Sequence, residues 1–167
     1  MDLFKQVLDL VGYVSSAILI ITGITLVYAW IRGLLVPIWR LGVGLSRRKI
    51  ALFAKDGNKN SFEDLLTDSS LFKSKNIIPI TKINDLGRCE SATLFLVIWE
   101  DFGTKIKDIL SKKHDKTALV VFAKTEEIKT KEWEELQTHR NVTVVNLRGR
   151  LIGDIVVSLM ATGYEKE

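Results

Sequence analysis

The chain has 167 residues, a formal net charge of +4 and a single cysteine, and 47% of its residues are hydrophobic. That length holds one membrane segment and one domain of the common size of about 100–150 residues. The charge surplus is too small for a nucleic-acid polymer as partner and is compatible with a few basic groups around one anionic small molecule. The lone Cys89 excludes an internal disulfide and suits a reducing compartment.

The first element is the run from Leu10 to Ile31, which contains no Asp, Glu, Lys or Arg. As a helix it spans roughly 33 Å, enough for a hydrocarbon core about 30 Å thick. A domain this small has no interior that could hide such a helix on all sides. A cleavable signal would have a shorter apolar region of about 7–15 residues ending in small residues. This run is longer and stands between Asp9 and Arg32, with only Lys5 as an upstream basic charge. Residues 1–31 are therefore expected to form a retained transmembrane anchor. Arg32, Arg40, Arg47, Arg48 and Lys49 follow it, so the positive-inside rule places the rest of the chain in the cytoplasm, on the inner membrane.

Residues 32–48 form a basic juxtamembrane segment. Within it, Gly33–Leu45 is apolar but interrupted by Pro37, Arg40, Gly42 and Gly44. It reads either as an amphipathic helix in the headgroup region or as a second, short or re-entrant membrane segment that would make a hairpin.

From residue 49 to 167 the pattern alternates. Lys49–Ala54 is a buried strand, Asp56–Asn60 a polar turn, and Ser61 the cap of a helix from Phe62 to about Phe72. Asn76–Ile80 is a strand placed at an edge by Pro79. Thr81–Cys89 is mostly connection, with room for one helical turn. Ala92–Trp99, the most hydrophobic strand, belongs at the centre. Gly103–Lys113 is a helix, Thr117–Phe122 a strand, Thr130–His139 a helix, Asn141–Leu147 a strand and Arg150–Gly163 a closing helix. Five apolar strands separated by helices predict an α/β domain: a Rossmann-like (flavodoxin- or TIR-like) five-stranded parallel sheet with helices on both faces.

Open parallel sheets bind ligands beyond the carboxyl ends of their strands, which selects loops before residues. On that rim Lys55, Asn58 and Lys59 follow the first strand, Trp99 the third, Lys124 and Thr125 the fourth, and Arg148 and Arg150 the fifth. Cations for phosphates, small polar donors and an aromatic face make these eight the candidate binding residues for a nucleotide. No GxGxxG or P-loop is present. His114 and His139 lack a ligating neighbour at metal spacing, and Cys89 lacks a base, so no metal, cofactor or catalytic residue is expected. Glu100 and Asp101 are the one acidic pair at a strand end. A receiver domain would also need acidic residues after its first strand and a lysine after its fifth. Here those places hold Ala54, Lys55 and Asp56, and Leu147 and Arg148.

A basic segment (IRGLLVPIWRLGVGLSRRK) running straight into a first Rossmann strand (KIALFA) resembles the small membrane effectors of bacterial antiphage systems signalled by cyclic nucleotides. The layout is most similar to Panoptes-type effectors, with CBASS and Pycsar membrane effectors more distant. The resemblance covers the organisation of the whole chain and rests on no diagnostic residue. It implies a cyclic dinucleotide ligand, self-association as a homo-oligomer and disruption of the lipid bilayer as output. Two other readings stay open: a membrane-tethered TIR-like NAD-cleaving enzyme with Glu100 as its carboxylate, and a tethered adaptor for a protein partner.

Overall fold

A computed structural model describes residues 2–163 of the chain. It divides into two compact units, Met1–Gly42 and Val43–Glu167. The last four residues of the expected domain, 164–167, lie outside the described residues.

The first unit is carried by helix α1, which runs from Asp2 to Ser46. Its stretch Leu10–Gly33 is long and apolar enough to cross a membrane, and none of it is buried within the protein. Thr22 and Thr25 turn their hydroxyls back onto the carbonyls of Ile18 and Ile21, at 2.8 and 2.7 Å. Both hydroxyls are thereby satisfied without water, as a lipid environment requires. Pro37 does not end the helix, so the hairpin expected as one alternative is not formed and Gly33–Leu45 continues α1.

The second unit is a five-stranded parallel sheet. Its strands are β1 (Ile50–Phe53), β2 (Ile77–Ile80), β3 (Leu94–Ile98), β4 (Ala118–Phe122) and β5 (Val142–Val145). Their order is β2-β1-β3-β4-β5, with every neighbouring pair parallel. This is a doubly wound, Rossmann-like sheet, the class expected from the alternation of apolar runs. The apolar strand around Leu96 is central and the Pro79 strand is an edge, as the composition predicts.

Alternate residues feed two cores. Ile50, Leu52, Leu94, Leu96 and Val120 face helices α2 (Asp56–Asp68) and α6 (Leu151–Gly163), which contribute Phe62, Leu66, Leu151, Ile155 and Leu159. Ala51, Phe53, Phe95, Val97 and Val121 face the other layer: α3 (Trp99–Phe102), α4 (Ile106–Lys112) and α5 (Thr130–Thr138). Phe53 meets Phe95 and Phe102 edge to face, with centroids 5.5 and 5.9 Å apart.

Three boundaries differ from the sequence expectation. Helix α2 begins at Asp56 rather than Phe62, so the expected polar turn is its first turn and Ser61 is not its cap. The reason is tertiary: a carboxylate from another loop, described below, supplies the cap. The expected helix Gly103–Lys113 is a 3-10 turn at Gly103–Lys105 followed by α4, and α3 before it takes Trp99 from the end of the expected strand. The connection after β2 is a 3-10 helix over Ile83–Ser91, longer than the single turn expected, and it buries Cys89.

Candidate functional site at the strand-exit rim

Between β1 and β3 the strand order reverses, and here α2 starts. Asp101, in the one-turn helix that follows β3, turns its Oδ2 onto this start. It accepts the Lys55 backbone N–H at 2.9 Å and the Asn58 amide at 3.0 Å. A carboxylate is thus held where the partial positive charge of the helix gathers. The crevice that carries phosphate in many doubly wound proteins is occupied by the chain's own anion. Lys55 and Asn58 are brought together by Asp101; Lys59 sits half-buried in the same turn of α2.

Arg148, in the 3-10 turn Arg148–Arg150 after β5, reaches back to α2. Its Nη2 donates to the Ser61 carbonyl and hydroxyl at 2.8 and 2.7 Å, and its guanidinium lies 5.0 Å from the centroid of the Phe62 ring. Phe62 in turn packs on Phe122. Arg148 is therefore a structural tie between β5 and α2 as well as a cation. Arg150 is exposed.

Trp99 does not present a stacking face. It is 7% exposed, donates its indole N–H to the Glu127 carbonyl at 3.2 Å, and covers Gly103 so closely that a Cβ there would lie 2.7 Å from the ring. The sequence placed this tryptophan on the rim because it follows a strand. Its burial in the layer of α3 and α4 follows from the helical turn that starts at that residue.

The exit ends of β4 and β5 hold the open site. A cleft of about 290 Å3 is lined by Lys124, Thr125, Glu126, Trp133, Val144 and Asn146, with Ala123 and Ile128 at its base. Lys124 and Thr125 were expected from the sequence. Trp133 was not, though it is 40% exposed and also borders a second cleft of about 240 Å3 with Gln137, His139 and Val142. Its signal lay in α5, TKEWEELQT, where one tryptophan stands among charged residues three positions before the buried Leu136.

The loop beside the cleft is fixed. Lys124 N–H donates to the Glu127 carboxylate at 2.7 Å, and Glu127 N–H returns a bond to the Lys124 carbonyl at 3.2 Å. Glu126, between them, adopts φ 67°, a left-handed conformation that costs a side-chain-bearing residue about 1 kcal/mol or more. The Lys124 Nζ meets Glu100 Oε2 at 3.0 Å. That hydrogen bond, with the attraction between the two charges, raises the lysine above its ordinary value of 10.5 and keeps it a cation. Glu100 stands in the helical turn of α3 rather than on a bare strand end, with its carboxylate tied to Lys124.

Burial pushes the Cys89 thiol up from its usual value, which leaves it protonated near neutrality. Among the described residues no group of three or more His, Cys, Asp or Glu is placed to hold a metal ion.

The class these observations define is a doubly wound α/β domain joined to an apolar helix long enough to cross a membrane. Compared with known proteins, the chain matches no family model, no curated protein and no solved structure.

Proposed function

We propose that the protein is a membrane-tethered sensor whose cytoplasmic domain binds a cyclic dinucleotide, acting as a homo-oligomeric effector of antiphage defence in the inner membrane. The observation that carries the reading is the cleft at the exit ends of β4 and β5. It offers a half-exposed indole face at Trp133, a fixed cation at Lys124 and small polar groups at Thr125 and Asn146. An aromatic face can stack a nucleobase, a lysine can meet a phosphate, and the polar pair can read the edge of a base.

The size of the cleft suggests how a two-base ligand would be shared. About 290 Å3 is at the low end for a small-molecule site and suits one nucleoside moiety rather than a whole cyclic dinucleotide. A two-fold symmetric ligand would then place one base in the cleft of each of two copies. Strand β5 supports this arrangement, because it borders the cleft and no further strand lies beyond it. Arg32, Arg40, Arg47 and Arg48 after the apolar span support a cytoplasmic domain.

An NAD-cleaving reading gains one point, since Glu100 stands in a helical turn. It loses another, because that carboxylate is engaged by Lys124.

The test is calorimetry of the full chain in detergent micelles against a panel of cyclic dinucleotides, with NAD as a parallel arm. One cyclic dinucleotide should bind, and Trp133→Ala should weaken it about 5- to 100-fold, the loss expected for one stacked base. Binding unchanged in Trp133→Ala overturns the site. Binding of none of the panel overturns the function, and nicotinamide release from NAD would favour the enzyme instead.

A further inference from the structure

The opposite end of the sheet, where the strands begin, has a charge pattern of its own. Every one of the five strands is entered through at least one Lys or Arg. Arg47, Arg48 and Lys49 precede β1, and Lys73 and Lys75 precede β2. Arg88 stands in the 3-10 helix leading to β3. Lys112, Lys113 and Lys116 lead into β4, and Arg140 into β5. The same loops contain only Asp85, Glu90 and Asp115 as acidic residues, and Lys73, Lys75, Arg88 and Lys112 are all exposed. At the exit end, by contrast, cations alternate with Asp56, Glu100, Asp101, Glu126 and Glu127.

We infer that this strand-entry face is an electrostatic docking surface for the anionic headgroups of the bilayer in which α1 is anchored. Three observations carry it. The first is the excess of positive charge, gathered from five loops that are far apart in sequence and share only their end of the sheet. The second is chain continuity. Helix α1 ends at Ser46 and β1 begins at Ile50, and Leu45 already packs against the core shared with α2 and α6. A link this short spans at most about 14 Å. The third is composition: from Gly33 to Leu45 the helix carries one charge, Arg40, amid Leu34, Leu35, Val36, Ile38, Trp39 and Leu41. Holding the domain away from the bilayer would leave that apolar stretch in water, at roughly 25 cal/mol per Å2 exposed. A face tethered by so short a link to a membrane helix would come within reach of the headgroups, since charge acts over about 8–10 Å at physiological salt.

A simpler account places lysines at helix C-termini to complement the helix dipole. It covers Lys75, Arg88 and Lys112, each in the last turn of its helix, but it does not by itself explain why acidic residues are so few on this face. The inference needs the membrane anchor and no nucleotide, so it stands or falls separately from the ligand.

The experiment is hydrogen exchange on the full chain in nanodiscs of phosphatidylcholine alone and with 40% phosphatidylglycerol. In the anionic discs, amides of residues 72–76 and 111–116 should exchange at least about 5-fold more slowly than in neutral discs. Loops at residues 55–60 and 124–128 should be unchanged. The protection should vanish in 0.5 M salt and in Lys73→Glu/Lys75→Glu/Lys112→Glu, a surface variant whose folding is checked by unchanged exchange of β3 and β4 amides. Equal exchange in the two lipids overturns the inference, as does protection that survives charge reversal or falls on the exit loops instead. Should the reversed variant lose β3 and β4 protection, the wild-type comparison between lipids and the salt series decide alone.

Discussion

The two ends of the sheet carry similar numbers of cations and use them differently. At the exit end several charges have an internal partner: Asp101 caps α2, Arg148 grips Ser61, and Lys124 meets Glu100. At the entry end the cations crowd together with few acids among them. A polar group tied into the fold is held in one geometry, in which it can also meet a ligand. A surface with an excess of one sign contributes little to stability and produces a long-range field. The exit end is therefore built to hold shape around a cleft, and the entry end to meet an extended anionic surface.

Substitutions can break this contrast. Asp101→Ala should have the largest effect, about 2 kcal/mol, because it removes both a charge-assisted cap of α2 and the partner of the half-buried Asn58 amide. Urea unfolding of the full chain in micelles would measure it, with Lys75→Ala as the entry-end control expected within about 0.5 kcal/mol. A control as damaging as the Asp101 variant would dissolve the distinction.

Arg148→Ala comes next, at about 1 kcal/mol, since it loses two hydrogen bonds to Ser61 and the contact over Phe62. The same tie means that reversing this arginine disturbs the junction of α2 and β5 as well as any ligand. Arg150, exposed and outside that tie, is the cleaner probe of ligand charge.

The smallest effect belongs to Lys124→Met. Its partner Glu100 raises the folded-state lysine above 10.5, so the favourable interaction is complete below pH 10.5 and is lost as pH rises through the raised value. Both side chains are exposed, so the midpoint of thermal unfolding should drop only slightly at pH 7. That difference should close in strongly alkaline buffer; a gap that is constant with pH would assign the effect to something other than the ion pair.

The layered sheet was readable because its signal is local. Strands such as LFLVI are apolar throughout and the intervening segments repeat at helical spacing, so the class and the central place of this strand follow from the chain. Pro79 told its edge position for the same reason. What escaped was decided by distant contacts. The start of α2 depends on Asp101, forty-six residues beyond Lys55, and nothing local to residues 55–61 announces it. Trp99 and Trp133 show the same limit for the site. Trp99 ends an apolar run and Trp133 stands among charged residues, and only tertiary packing, such as that of Trp99 on Gly103, decides which indole is covered and which is offered. Lys124 and Thr125 were legible because the strand-end rule needs no tertiary detail.

The two edges of the sheet differ in a way that limits assembly. Ile80 gives its carbonyl to Ala54, so neighbouring Pro79 points its nitrogen outward, and the outer side of β2 lacks a donor where a further strand would need one. On β5, Asn141 and Val145 turn their carbonyls toward β4, which leaves the backbone groups of Val142 and Val144 directed away from the sheet with no proline among them. A sheet with one blunt and one open side can grow in a single direction. Two chains joined through β5 would form one continuous sheet bounded at both margins by Pro79, and strand addition would stop there. In the homo-oligomer we propose, contacts beyond such a pair would have to come from surfaces other than strand edges.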